Sequence, residues 1–465
     1  MSDRKIQFGT DGWRGIIADD FTFANVRTVT RAIAAYLQTP QDQPLLIGYD
    51  TRFLADKFAH TAAEVLTDLG WQVQIASEYC PTPAIAYSVR HRNAVGALMF
   101  TASHNPANYC GIKFIPDYAG PATADITDAI VAQIPDADSA PPQQPISKIS
   151  YFDPKSDYLE FIYSQLDVER IRTAKLKVKY DALYSTTQGY LDTALRYCGC
   201  EVETFHATRD VLFGGGMPQP DQQHLSHLAA EVKHRADVGM ATDGDGDRFG
   251  IIDDQGNFLS PHVILLVLAR HLLLNKHKTG AIVRSVATTH LLDNFAAQHG
   301  LQIYETPVGF KHIGEKMRQT DVLIGGEESG GLSVAGHIPE KDGIIANLLV
   351  AEAIAYAKKP LSELVAIATQ EVRGPRCNQR QDLELPEADK TAVLDVLKQN
   401  PPQEIAGIKV KETSYESGIK LYLEDGSWIL LRPSGTEPVM RVYVETVPAK
   451  QQITAAVNDL IATSK

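Results

Sequence analysis

The chain has 465 residues, 44% of them apolar and 22% charged, which is the balance of a soluble globular protein too long for a single core. A formal net charge of −13 at pH 7 excludes a nucleic-acid-coating protein, although a local cluster of Arg and Lys can still hold an anionic substrate. Cys80, Cys110, Cys198, Cys200 and Cys377 lack metal-ligand or redox-pair spacing, so unpaired thiols in a reducing, cytoplasmic setting are expected. The start shows no secretory signal, and the apolar stretch Val263–Leu274 is a short core helix carrying Arg270 and His271, so no membrane partner is expected.

Near the start, Gly9-Thr-Asp-Gly-Trp-Arg14-Gly15 reads as a glycine-punctuated loop before a helix, with Arg14 a candidate phosphate contact. A plan then appears three times. Its first copy runs through a strand at Pro44–Tyr49, a helix from Phe53 to Leu69, Gly70 and a strand at Trp71–Ile75. A turn at Pro81-Thr-Pro83, a helix and the apolar strand Val95–Phe100 complete it. That strand enters Thr101-Ala-Ser-His-Asn-Pro106, where Asn105 and Pro106 force a turn that should point the Ser103 hydroxyl into open space. Lys113 can return toward the same point. The second copy has strands Leu176–Tyr180, Glu201–Phe205 and Ala236–Met240, with helices Gly189–Tyr197 and Gln222–His234; it enters Asp243-Gly-Asp-Gly-Asp247. The third has strands Ala281–Val283, Leu301–Tyr304 and Asp321–Ile324, with helices Leu291–His299 and, after Pro307-Val-Gly-Phe310, one reaching Arg318; it enters Gly325-Gly-Glu-Glu-Ser-Gly-Gly331.

Gly70, Gly199 and Gly300 recur before the second strand because a helix ends best on a residue that tolerates positive φ. Alternating strands and helices imply largely parallel sheets covered on both faces, with ligand loops at their C-terminal edges. The last hundred residues change style. Ile419–Leu431 alternates and turns at Asp425-Gly426, a hairpin signal, and Met440–Glu445 alternates again. The expected fold is three repeated α/β domains with mixed, largely parallel sheets plus a C-terminal α+β domain, around a central cleft. The expected boundaries are 1–145, 146–254, 255–371 and 372–465, with a linker at Pro135–Ser150 and a hinge near Val372–Arg376.

Four loops carry chemistry. Asp243, Asp245 and Asp247, spaced by glycines, can converge on one hard cation; Arg248 and Asp254 stand where a calcium-sensor loop needs Gly and Glu. Glu327 and Ser329 offer an acceptor and a hydroxyl suited to adjacent sugar hydroxyls. Arg432-Pro-Ser-Gly-Thr-Glu-Pro438 with Arg441 makes a phosphate cradle of guanidiniums, hydroxyls and a backbone N–H. Ser103 supplies a nucleophile. These are the parts for phosphoryl transfer on a phosphosugar.

Over nearly its whole length the chain resembles the α-D-phosphohexomutase superfamily, the phosphoglucomutases and phosphomannomutases. The resemblance rests on Thr101-Ala-Ser-His-Asn-Pro106, Asp243-Gly-Asp-Gly-Asp-Arg248, Gly326-Glu-Glu-Ser-Gly330 and Arg432-Pro-Ser-Gly-Thr436, in the family's order. It implies a phosphorylated Ser103, a Mg²⁺ held by Asp243, Asp245 and Asp247 with the serine's phosphate, and Arg248 close to that phosphate. It implies that Glu327 and Ser329 read the sugar's 3- and 4-hydroxyls. Arg432, Ser434, Gly435, Thr436 and Arg441 would hold the non-reacting phosphate. Lys341, in His337-Ile-Pro-Glu-Lys-Asp-Gly343, matches a substrate-binding lysine of phosphoglucomutases. His104 and Lys113 match positions of proton transfer and phosphate contact, and Gly309 and Phe310 stand among the substrate-binding positions with Arg14.

The implied reaction interconverts glucose 1-phosphate and glucose 6-phosphate through a glucose 1,6-bisphosphate intermediate, which also serves as activator. The Glu327-Glu-Ser loop and Lys341 lean toward glucose, with mannose phosphates as further candidate substrates and glucosamine disfavoured by residue 328. Tyr109-Cys-Gly departs from the more usual polar residues after Asn108. A glucose 1,6-bisphosphate synthase, a phosphomonoesterase and a non-catalytic sugar-phosphate sensor are the rivals. The expected partners are small hexose phosphates, for a monomer or weak homodimer.

Overall fold

The structure is a computed structural model that describes residues 6–9, 12–39, 42–134, 149–434, 439–447 and 451–464. Its first sheet contains β1 (Trp13–Ile16), β2 (Leu45–Tyr49), β3 (Val73–Ala76), β4 (Gly96–Phe100), β5 (Tyr109–Pro116) and β6 (Ser150–Phe152), in the order β1-β5-β4-β2-β3-β6. The second contains β7 (Lys177–Asp181), β8 (Glu201–Phe205), β9 (Val238–Thr242), β10 (Phe249–Ile252) and β11 (Phe258–Leu259), in the order β11-β10-β9-β7-β8. The third contains β12 (Ala281–Ser285), β13 (Ile303–Thr306), β14 (Val322–Gly326) and β15 (Leu332–Val334), in the order β13-β12-β14-β15.

The repeat is visible in the pairing. A central strand (β2, β7, β12) has its two successors parallel to it, one on each side. The third strand of each trio (β4, β9, β14) then reverses into an antiparallel strand (β5, β10, β15). The Ser103, Asp243–Asp247 and Glu327 loops are therefore one topological element used three times. Every residue of β4, β9 and β14 is buried, because helices cover both faces of the sheets, and such strands read as unbroken apolar runs.

The fourth sheet is antiparallel throughout: β16 (Cys377–Glu384), β17 (Glu404–Ile405), β18 (Ile408–Ser414), β19 (Ile419–Leu423), β20 (Trp428–Pro433) and β21 (Val439–Thr446), in the order β16-β21-β20-β19-β18-β17. Helices Glu387–Gln399 and Gln451–Thr463 accompany it. The α/β architecture with a C-terminal α+β domain is thus as expected.

Several local expectations are corrected. The Gly9–Gly15 stretch is not only a loop: Trp13–Ile16 pairs with β5, which puts Arg14 on a strand opposite Gly111. Pro81-Thr-Pro83 starts the helix Thr82–His91 rather than preceding it, since proline costs nothing in a first turn. The helix expected at Gln222–His234 shortens to Ser226–Val232. The long helix Gly343–Ala357 is buried on nearly all sides and so lacks amphipathic periodicity. It is the central helix of the molecule, and its start is capped by Asp342, which accepts from Ile344 and Ile345 N–H. All five cysteines are unpaired, four of them buried. Among the described residues, no helix is long and apolar enough to cross a membrane.

Candidate active site

Asp243, Asp245 and Asp247 are fully buried, and their ligand oxygens lie within 4.8 Å of one another. Burial, then the charges of Asp247 and Asp245, push the Asp243 carboxyl well above the usual range. Asp245 moves the other way: burial opposes its charge, but Lys113 Nζ at 2.8 Å and the Thr82 hydroxyl at 2.6 Å more than compensate. Lys113 also donates to Asp247 at 2.9 Å, and Lys341 Nζ lies 3.0 Å from the same carboxylate. Asp243 Oδ1 accepts the Arg248 backbone N–H at 3.0 Å. Two buried oxygens, Asp245 Oδ1 and Asp247 Oδ1, make no hydrogen bond. Buried acceptors left over in an all-oxygen set suit a hard divalent cation such as Mg²⁺.

Ser103 stands against this cluster. Its hydroxyl donates to Asp243 Oδ2 at 2.7 Å and lies 3.3 Å from His104 Nδ1. The expectation that it projects into open space is wrong: the residue is 1% exposed, because the second loop closes over the first. A side chain at Gly244 would put its Cβ 2.5 Å from the Ser103 carbonyl oxygen, so only glycine permits this approach. Ser103 itself has φ +52°, a strained value for a residue with a side chain, and its N–H donates to the Thr101 hydroxyl at 2.9 Å. Burial, then Arg248, Arg14, Lys341 and Arg52, hold the partly buried His104 imidazole well below its ordinary pKa, which leaves it neutral. Arg14 reaches the same loop, donating to Asn105 Oδ1 at 2.6 Å.

The third loop joins the second through backbone: Arg248 bridges Gly331, and Phe249 N–H donates to Gly330 O at 3.1 Å. Glu327 is buried and accepts the Gly309 N–H at 2.9 Å; Gly309 has φ +124°, which a side chain would resist. Burial and the neighbouring Glu328 push the Glu327 carboxyl up to about 7, against the pull of Lys341 and Arg248. Ser329 is half-buried at the loop tip. The Phe310 ring packs with Val283, Ile313 and Val322 in a small core, so its side chain is structural rather than offered to the cleft.

In the fourth sheet Arg432 and Arg441 sit directly opposite each other on β20 and β21. Ser434 is buried, and its N–H donates to Val439 O at 2.9 Å. Gly435 and Thr436 lie outside the described residues. This sheet docks on the third unit, not on Ser103: Lys420 donates to Val286 O at 2.7 Å and Glu305 at 3.0 Å. Around this contact Val286, Ala287, Trp428, Leu430 and Tyr443 form a shared apolar cluster.

Sequence reasoning passed over Asp50, Arg52, Thr82 and Thr101. Arg52 is wholly buried and donates to Asp50 and to four carbonyls of the serine loop. The available signal was position: Asp50-Thr-Arg52 follows β2 at the sheet edge where the chemistry lies.

Known proteins share this arrangement. Residues 5–141, 156–256 and 260–371 match the alpha/beta/alpha domains I, II and III of phosphoglucomutase/phosphomannomutase, and residues 383–462 match its C-terminal domain. A Thermococcus kodakarensis phosphoglucomutase/phosphomannomutase is 31% identical over 94% of both chains. A Caldicellulosiruptor bescii phosphoglucosamine mutase is 30% identical, again over 94% of both. A structure from Thermus thermophilus, described as a phosphomannomutase, superposes with a TM-score of 0.87 at 31% identity, covering 98% of this chain and 99% of that one. With all four domains matched around one buried serine–aspartate centre, the chain belongs to the phosphoglucomutase/phosphomannomutase family, isomerase-type phosphotransferases of the α-D-phosphohexomutase superfamily.

Proposed function

We propose that the protein interconverts glucose 1-phosphate and glucose 6-phosphate through a phosphorylated Ser103 and a glucose 1,6-bisphosphate intermediate. The observation that carries this reading is the Ser103 hydroxyl, buried and 2.7 Å from Asp243, with Lys113 bound to the other two aspartates. In the transfer step the P–Oγ bond of phosphoserine breaks and a P–O bond to the free sugar hydroxyl forms. The hydroxyl's proton ends on Ser103 Oγ, relayed by His104 or Lys113, and the bisphosphate then turns over and returns its other phosphoryl group. Asp243, Asp245, Asp247 and the serine's oxygen would hold Mg²⁺, which when bound offsets charge on the transferring group. Arg248 and Lys113 act on the same charge from the protein side.

Glu327 and Ser329 read the sugar hydroxyls, beside the Gly309 backbone. Lys341, paired with Asp247 and acting through its charge on Glu327, and Arg14, at the serine loop, complete the substrate contacts. Arg432, Ser434, Gly435, Thr436 and Arg441 hold the phosphate that does not react. Glucose is favoured by the Glu327-Glu-Ser loop together with Lys341. The unpaired cysteines support a cytoplasmic setting.

The test is ³¹P NMR with Mg²⁺, a trace of glucose 1,6-bisphosphate and, in parallel, the 1-phosphates of glucose, mannose and glucosamine. Fastest conversion of glucose 1-phosphate without free phosphate supports the proposal. Faster turnover of mannose or glucosamine overturns the glucose preference and leaves the mutase. Accumulating bisphosphate points to a synthase, free phosphate to a phosphomonoesterase, and binding without turnover to a sensor.

A further inference from the structure

One guanidinium holds the whole serine loop. Arg52 Nη1 donates to the carbonyls of Pro106 (2.7 Å) and Tyr109 (3.1 Å), and Nη2 to those of Ser103 and Asn105 (2.6 Å each). Its Nε donates to Asp50 Oδ2 at 3.0 Å, and the residue is 0% exposed. The Phe213 ring, from the second unit, lies 5.0 Å beneath it. From the same stretch Arg209 donates to the carbonyls of Thr51 and Arg52. The Thr51 hydroxyl donates in turn to Tyr184 O, at 3.0 Å.

We infer that Arg52 is a positioning residue for phosphoryl transfer, one that fixes the Ser103 backbone in its left-handed conformation and registers it against the metal loop. It touches no reacting atom. Five donors in a rigid fork satisfy four carbonyls at once, which a lysine's single ammonium cannot reproduce. Without that fork the loop relaxes from φ +52° toward an ordinary conformation and swings Oγ away from Asp243. The effect falls on the chemical step rather than on sugar or phosphate binding, because none of these contacts faces the sugar loop or the phosphate cradle.

This inference rests on the reading of Ser103 as the phosphorylated residue. Full-length enzyme is labelled on Ser103 with ³²P-glucose 1,6-bisphosphate and mixed with excess glucose 1-phosphate in a rapid-quench apparatus. In Arg52→Lys, kcat and the single-turnover rate are expected to fall about 100-fold, with KM held within about threefold. Phe213→Ala removes no hydrogen bond but frees the guanidinium, and is expected to cost about tenfold in the same step. His271→Gln, at a buried histidine paired with Glu352 at 2.8 Å, controls for instability alone and leaves the rate per folded molecule unchanged. A transfer rate within about threefold of the parent in Arg52→Lys overturns the inference; if that variant does not fold, the same result in Phe213→Ala does. A parent that takes up no label on Ser103 overturns the phosphoserine reading and this inference with it, whereas a labelled parent with undiminished transfer in the variants overturns this inference alone.

Discussion

Replacing Glu327 with Gln should make the protein more stable above neutral pH while weakening it as an enzyme. The residue is 5% exposed, and burial with Glu328 raises its carboxyl from 4.5 to about 7. At 1.36 kcal/mol per unit, that shift corresponds to roughly 3 kcal/mol. The folded state keeps the proton up to about pH 7, whereas the unfolded chain releases it near 4.5. The raised pKa therefore contributes stability that is fully present below pH 4.5 and is lost as pH rises through 7. Gln keeps the shape and the acceptor for Gly309 N–H without the charge. The variant should match the parent near pH 4 and exceed it by roughly 3 kcal/mol at pH 8.5, a melting-point rise of about 3 °C for a chain of this length unfolding as one unit. Scanning calorimetry in chelator across this pH range measures the difference, and sugar turnover should fall about 10–100-fold as a charged acceptor is lost. A pH-independent difference, or a less stable variant at pH 8.5, would refute the assignment of strain to this carboxylate.

Arg432→Ala should raise KM about 10–100-fold, because a charge-assisted phosphate contact is lost, and should leave the melting point unchanged. Steady-state kinetics with calorimetry separates the two effects. Thr82→Val removes the hydroxyl that Asp245 accepts from at 2.6 Å across the first two units and should cost roughly 1–3 kcal/mol in metal-free enzyme, measured by thermal denaturation. Phosphorylating Ser103 replaces a hydroxyl that donates to Asp243 with a dianion that repels it. Mg²⁺ should therefore bind the phosphoenzyme about 5–150-fold more tightly than the dephosphorylated form, and equal affinities by titration calorimetry would sink that argument.

The three-fold repeat was legible because β4, β9 and β14 are buried throughout and stand as apolar runs, and because Gly70, Gly199 and Gly300 recur before the second strand of each copy. The loops were legible because β4, β9 and β14 each end at charged or hydroxyl residues on one edge. The return strands were not legible. β5 reads Tyr-Cys-Gly-Ile-Lys-Phe-Ile-Pro and carries Lys113 among its buried residues, so it shows no clean alternation to mark it as the antiparallel partner of β4. The Gly343–Ala357 helix left no period because all of it up to Ala355 is buried. Contacts between units left no local trace at all: Thr82 and Asp245 are 163 positions apart, and Ser103 and Asp243 are 140. Arg52 looked like any polar residue beyond a strand, since burial of a charge is a property of the assembled fold.

The failed expectation about Ser103 is also informative. Turn chemistry at Asn105 and Pro106 argued for an exposed nucleophile, yet Ser103 is 1% exposed and already hydrogen-bonded. On the phosphoserine mechanism proposed above, an activated phosphoserine open to solvent would let water compete with the sugar for the phosphoryl group. A mutase must instead keep water from phosphorus through two transfers and one turnover of the intermediate. Closing the Asp243 loop over Ser103 meets that requirement, and it depends on residues drawn from two units: the glycine at 244, the Thr82–Asp245 hydrogen bond and the Arg52 fork. The strained backbone of Ser103 follows from the same demand, because a serine in an ordinary turn would face out of the sheet edge rather than across to the aspartates.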